Sequence, residues 1–200
     1  MPGPAKKFDV GAALDEAVEV FRERGFTGAG TAELQRRMGV GRKSMYDTFG
    51  SKRELAERAM TRYGRAAVDD LRRRLSRRGR TPLQNLRSAL MHWARLDAAE
   101  GSAGCMLGNC AADFSRSSPQ DAATADVLAA GLGAIADAFA EAVASAQASG
   151  EIDPGLDPSD VGKTLLCMTQ GMALVGRVSR DRRWPRAATE AALDALQRSA

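Results

Sequence analysis

Histidine and cysteine are scarce in this chain, and each scarcity removes a class of chemistry. One histidine, His92, and three cysteines, Cys105, Cys110 and Cys167, with no Cys-x-x-Cys pair, leave too few ligands for a metal centre, so neither a metal nor a cofactor is expected. Three cysteines also make no disulfide framework. Small buried apolar groups are the plain reading of them, and a thiol sensor is the sharper one. No Gly-rich phosphate loop of Walker type and no Gly-x-Ser-x-Gly elbow occurs. An enzyme would therefore have to rely on Cys105, Cys110 or scattered carboxylates, and none is expected. No uninterrupted apolar run approaches the ~18 to 20 residues of a membrane span, Val127 to Ala136 being about half that. The opening MPGPAKKFDV lacks the apolar core of a signal peptide. A cytoplasmic location and no membrane partner are the expectations.

What is present suits a globular, helical chain. Of the 200 residues 44% are apolar and 27% charged, enough for one or two domains with a substantial core. The net charge of +4 is unevenly spread: residues 1–80 carry 19 Lys or Arg against 11 Asp or Glu, and residues 81–200 carry 10 against 14. A basic first part fits a polyanionic partner there. The cluster Arg72, Arg73, Arg74, Arg77, Arg78 and Arg80 reads as the solvated end of a long helix, where cations suit the dipole.

Apolar spacing predicts helices throughout, about nine, with no strand-like alternation to compete. The first runs from about Asp9 to Arg24 on Leu14, Ala17, Val18 and Phe21. Thr31 is a plausible N-cap for a second helix with Leu34 and Met38 inward, and Met45 and Phe49 repeat that four-residue spacing on a third. Gly39 ends the second helix where a left-handed residue is needed, Val40 plugs the corner, and Gly41 lets the chain re-enter a helix. Ser51 caps a long fourth helix, and Thr81-Pro82 opens a fifth through Leu86, Leu90, Trp93 and Leu96. Gly101 and Gly104 break it. Shorter and longer helices follow from Cys105 to about Phe114 and from Ser118-Pro119 to Gly150. Asp157-Pro158 starts a very apolar helix reaching about Val178, and Trp184-Pro185 marks the last.

The second and third helices form a helix-turn-helix pattern. With Met45 and Phe49 turned inward, Arg42, Lys43, Ser44, Tyr46, Asp47 and Thr48 remain for phosphates and base edges in a major groove. Spacing alone does not separate this from a plain helical hairpin whose basic face meets only water.

The run GVGRKSMYDTFGSKREL closely resembles the signature of the tetracycline-repressor (TetR) family of bacterial transcriptional regulators. Gly39, Val40, Met45, Tyr46, Phe49, Ser51 and Lys52 carry the likeness, which covers about the first 60 residues. Three positions depart from it: Gly41 where Ser or Thr is usual, Lys43 where a small residue is common, and Thr48 where His or Tyr is common. The resemblance implies an all-α fold with a three-helix DNA-binding domain at residues 1–50 and a helical ligand-binding and dimerisation domain at residues 51–200. It implies double-stranded operator DNA as partner, met by Thr31, Arg42, Lys43, Ser44, Tyr46, Thr48 and Lys52. It further implies a homodimer through Asp160 to Val178 and Arg186 to Gln197, with Gly162, Gly171, Ala173 and Gly176 allowing close approach.

Between these regions lie adaptable apolar groups that suit either a bundle core or a ligand pocket. Because the family's central domain binds small-molecule inducers, Met91, His92, Trp93, Leu96, Met106, Asn109, Cys110, Phe114, Phe139, Met168 and Met172 are the candidate effector contacts. Ile135, Leu107, Leu132 and Gln170 lie in the same region. The expected function is a repressor released from its operator by a small molecule. The alternatives are a redox-responsive regulator using Cys105, Cys110 or Cys167, and an architectural protein that coats DNA without sequence preference.

Overall fold

The computed structural model describes residues 8–99, 101–179, 181 and 183–197, and among them every regular element is an α-helix. The elements are α1 (Val10–Gly28), α2 (Thr31–Met38), α3 (Arg42–Phe49), α4 (Lys52–Leu75), α5 (Pro82–Asp97), α6 (Met106–Ala111), α7 (Ala122–Ala148), α8 (Pro158–Gly176) and α9 (Trp184–Gln197). α1, α2 and α3 form a small head. The longer α4, α5, α7 and α8 pack into a body, with α9 against α5 and α8 and α6 wedged between body and head.

Local chemistry explains most boundaries. The Asp9 carboxylate accepts from the amides of Gly11 and Ala12 at the start of α1. Capping boxes open α4 (Ser51 with Glu54) and α5 (Thr81 with Gln84), and Asp157 caps α8 ahead of Pro158. Gly39 ends α2 in the left-handed region (φ 66°, ψ 28°), where a Cβ would be strained.

Four expectations need correction. Thr31 is not the N-cap of α2: Gly30 holds that position without a side-chain bond, and Thr31 is already helical. α1 continues past Arg24 to Gly28 across a non-helical Gly25, because the bend is held by the Asp113 carboxylate on the amides of Phe26 and Thr27. α6 is shorter than Cys105 to Phe114, since from Asp113 the chain turns to meet the head. α7 starts at Ala122 rather than at Ser118-Pro119: those residues form a turn, in which Ser115 N–H donates to the Asp121 carboxylate.

α7 is the central helix of the body. Its 27 residues, with mean hydropathy 1.7 over the richest 18-residue window, meet the length and composition of a membrane span. Within the chain it packs chiefly against α4 and α8, and 39% of that window is buried. Backbones approach closely at Gly162, where an added Cβ would stand 2.5 Å from the Ala136 carbonyl oxygen, and at Gly176, where it would collide with that of Asp97. These two expected contact glycines therefore serve packing within the chain, whereas Gly171 is exposed with nothing near it.

The stripe assigned to α5 also changes at its end. Leu86 and Leu90 are buried and Trp93 partly so, but Leu96 is 53% exposed while Asp97 is buried. The arginine cluster is partly paired: Arg72 with Glu141 at 2.9 Å, and Arg73 and Arg74 with Asp70 at 3.1 and 2.6 Å.

Candidate nucleic-acid interface and interior cavity

α2 and α3 lock together through side chains that spacing had assigned inward. Leu34, Met38, Val40, Met45 and Phe49 are all buried. From outside, Phe8 packs on Phe49 at 6.4 Å between ring centroids. Arg58 of α4 donates to the Thr48 carbonyl oxygen at 3.2 Å, with its guanidinium 6.0 Å from the centre of the Phe49 ring. Ion pairs of Arg37 with Glu16 and Glu23, at 3.0 and 3.5 Å, hold α2 across α1. α3 is thus held by the buried Met45 and Phe49, by Phe8 on the Phe49 ring, and from α4 by Arg58.

Its remaining faces point outward. Arg42, Lys43, Ser44, Tyr46 and Asp47 are exposed, and Thr48 is half-buried. The Arg42 guanidinium lies 6.0 Å from the centre of the Tyr46 ring, and Lys43 sits 3.8 Å from Asp47 one turn on. Arg36 and Arg42 have no ion pair among the described residues, leaving two uncommitted cations on this side. α2 and α3 each begin at a glycine, Gly30 and Gly41, with no side-chain cap. Their first amides are therefore free for anionic oxygens, as phosphates require. Thr31 lies at the start of α2, half-buried. Lys52 opens α4 with its ammonium 4.5 Å from the centre of the Phe26 ring, and partial burial there lowers its pKa against the pull of Asp113.

The head is latched to the body at α6. The Asp113 carboxylate accepts from Phe26 N–H at 2.7 Å and Thr27 N–H at 3.1 Å. The Asn109 amide donates to the carbonyl oxygens of Arg22 and Ala103, both at 2.7 Å. Phe114 lies 4.7 Å from Phe26. Arg53 covers both rings while pairing with Asp121 at 3.0 Å and donating to Thr124 at 3.1 Å. None of Asp113, Arg53 or Thr124 was singled out from sequence. Asn109 and Phe114, expected at a ligand, here face the head. A polar pair two residues either side of a helix end carries no sequence signal for a partner 87 residues away.

Inside the body a cavity of about 230 Å³ opens between α4, α5, α7, α8 and the segment leading into α6. Tyr63, Asp70, Trp93, Asp97, Cys105 and Gln170 give it its character, with Ile135 as part of its apolar wall. Of the expected effector contacts, Trp93 and Leu96 line it. Met168 and Met172 line instead an apolar groove of about 380 Å³ between α8 and α9. Met106, Cys110 and Phe139 are fully buried in the core, Phe139 edge-on to Trp93 at 5.6 Å. Met91 and His92 are half-buried on α5 outside the cavity lining, and burial lowers the His92 pKa, with Arg74 adding to it.

The three thiols differ. Cys110 is buried and its pKa is pushed up to about 12 by desolvation, Cys105 is half-buried at the cavity, and Cys167 is exposed on α8, contrary to a uniformly buried reading. Burial also raises Tyr63, with Cys105 beside it, and lifts Asp97 to about 6. Among the described residues no His, Cys, Asp and Glu come together as a metal site.

Comparison with known proteins follows this geometry. Residues 13–59 match the family described as bacterial regulatory proteins, tetR family, and residues 82–192 match that described as tetracyclin repressor-like, C-terminal domain. The uncharacterised HTH-type transcriptional regulator YezE of Bacillus subtilis (strain 168) is 41% identical over 61 residues, which span 30% of this chain and 31% of that relative. Among solved structures, a cysteine mutant of the TetR family transcriptional regulator CifR, complexed with 26-base-pair double-strand operator DNA, superposes with a TM-score of 0.83 at 24% identity, over 97% of this chain and 100% of that one. The reduced form of E. coli NemR gives 0.78 at 19% identity, over 94% of each chain. The regulatory protein TetR from Rhodobacter sphaeroides gives 0.78 at 21%, over 92% of this chain and 96% of that one. At these identities the structural likenesses establish the all-helical fold.

Proposed function

Because the chain belongs to the tetR family of bacterial regulatory proteins, we propose that it is a cytoplasmic, homodimeric transcriptional repressor released from its operator by a small molecule. Membership of a family of regulators removes the enzymatic alternative. The observation that carries the DNA-binding part is the division of α3: Met45 and Phe49 buried, Arg42, Lys43, Ser44 and Tyr46 outward on a head with no slack. In this reading α3 enters the major groove, Thr48 follows at its wall, and Thr31 and Lys52 flank it on phosphates. CifR, similar in fold, has been seen on operator DNA.

Support for the dimer comes from the outer face of α8 and α9. Cys167, Gly171 and Leu174 stand exposed at helical spacing on α8, Leu174 65% exposed, with Val178 in the turn after it 83% exposed and Trp184 at the start of α9 56% exposed. Apolar surface of this kind asks for a cover, and a second copy gives two reading helices for two half-sites. Support for effector control comes from connectivity. Cys105, in the cavity wall, is the N-cap of α6, and α6 ends in the Asn109 and Asp113 latch on α1. A ligand preferring one placement of α6 biases the head, and operator affinity falls by the same coupling.

A second reading, release by thiol oxidation, is favoured by Cys105 standing at that same wall. Peroxide would take its thiol to sulfenic acid with loss of water. NemR has been described in a reduced form. Changing Cys105, Cys110 and Cys167 to Ser separates the readings: peroxide-driven release that survives all three changes excludes a thiol trigger.

Selection from a randomised duplex pool tests the whole. Enrichment of a two-fold symmetric sequence supports it. Salt-dependent binding with no sequence enrichment favours the architectural alternative.

A further inference from the structure

The wall chemistry of the interior cavity narrows what it can hold, given the reading of that cavity as the effector site. Asp97 is the last residue of α5 and 9% exposed, and no hydrogen bond or ion pair reaches its carboxylate among the described residues. A helix C-terminus is the negative end of the dipole, which makes an unpaired carboxylate there costlier still. Gln170, in the same wall, has a buried side-chain oxygen without a partner. Asp70, the other carboxylate, is already matched by Arg73 and Arg74 from its own helix. No Lys, Arg or His lines the cavity. Among the described residues no donor of this lining reaches Asp97, although Tyr63, Trp93, Cys105 and Thr169 each carry one.

We propose that this cavity takes a small organic cation, a protonated amine on a compact apolar body, with Asp97 as its counter-ion. A neutral occupant leaves the carboxylate unpaired, and an anion adds a second negative charge to a water-poor space. An ammonium pairs with Asp97, while Trp93 and Tyr63 offer ring faces to the charge or the body. The volume of about 230 Å³ sits below the ~300 to 1,000 Å³ usual for larger ligands, which limits the body to about ten non-hydrogen atoms. Ala66, Ala67 and Ile135 supply the apolar contact.

The test uses calorimetry on the full chain at pH 8 with three probes of nearly equal size: 2-phenylethylamine, 2-phenylethanol and 3-phenylpropanoate. The amine is expected to bind about tenfold or more tightly than the alcohol, with the carboxylate weakest. Asp97→Asn, checked for unchanged helicity, should bring amine and alcohol within about twofold, and Asp97→Glu should restore part of the preference. Equal binding of amine and alcohol by the unaltered protein overturns the proposal, as does absence of amine binding or a preference that survives Asp97→Asn. Operator release is read separately. Asp97-dependent amine binding without release keeps this inference and removes the effector reading, whereas release by the alcohol alone does the reverse.

Discussion

In the head, Leu34, Met38, Met45 and Phe49 close a core in which every buried side chain is apolar, with Arg37 paired to Glu16 and Glu23 beside it. In the body, Gln170 and Asn85 each keep a buried side-chain oxygen without a partner among the described residues, and Asp97, in the cavity wall, keeps an unpaired carboxylate. The contrast teaches how one chain divides two tasks. A reading helix must hold its side chains in one geometry, so its support is sealed and matched. A sensing interior must gain something when a ligand arrives, so it retains groups whose cost an occupant relieves.

Removing mass from the sealed side gives the largest effect. Phe49→Ala should cost about 3 to 5 kcal/mol in denaturant unfolding, because Phe8, Arg58 and α4 cannot all follow the missing ring. A loss below about 1 kcal/mol would mean that the head collapses easily and is not the rigid partner in the comparison.

Next is the outer face of the same helix. Arg42→Ala should weaken binding to the selected operator by about 1 to 3 kcal/mol and relax one base position if it reads a guanine. An equal loss on all duplexes would make Arg42 a phosphate anchor only.

The body responds to a change in charge. Folding raises the pKa of Asp97 from the ordinary 3.8 to about 6, so the native state holds more protons than the unfolded one between those values. Stability from this group is present below about pH 4 and is lost as pH rises through about 6. The titratable and charged groups around it are Asp70 with Arg73 and Arg74, Tyr63 and Cys105. Asp97→Asn should therefore raise stability by about 1 to 2 kcal/mol at pH 8 and leave it almost unchanged at pH 4, read by thermal melts at both. Equal shifts at the two values would remove the buried charge from the account.

The smallest effect belongs to Lys43, whose side chain is 90% exposed and loosely paired with Asp47. Lys43→Ala should change stability by less than about 0.5 kcal/mol while still weakening DNA binding.

These sites were not equally legible in the chain. The head could be read because its signals are short-range: Leu34 to Met38, Met45 to Phe49, Gly39 between them, Ser51 with Glu54 after them. The helix order of the body was legible for the same reason, through Thr81-Pro82 and Asp157-Pro158. Its interior was not. Leu96 looked like the end of a buried stripe and is exposed, because α5 stops one residue later and turns Asp97 inward instead. Asp113 and Arg53 matter through partners 87 and 71 residues away, and no local pattern encodes such a distance. Gly162 and Gly176 were read as surfaces for a partner and are used within the chain, since small residues mark any close approach alike.

Operator titration with the outer face of α3 removed tests the central claim most directly. The triple change Arg42→Ala, Lys43→Ala and Tyr46→Ala leaves Met45, Phe49 and the rest of the head core in place. It should melt like the unaltered protein and bind the selected operator no better than random duplex of the same length. Undiminished preference for the operator would show that this face does not read DNA.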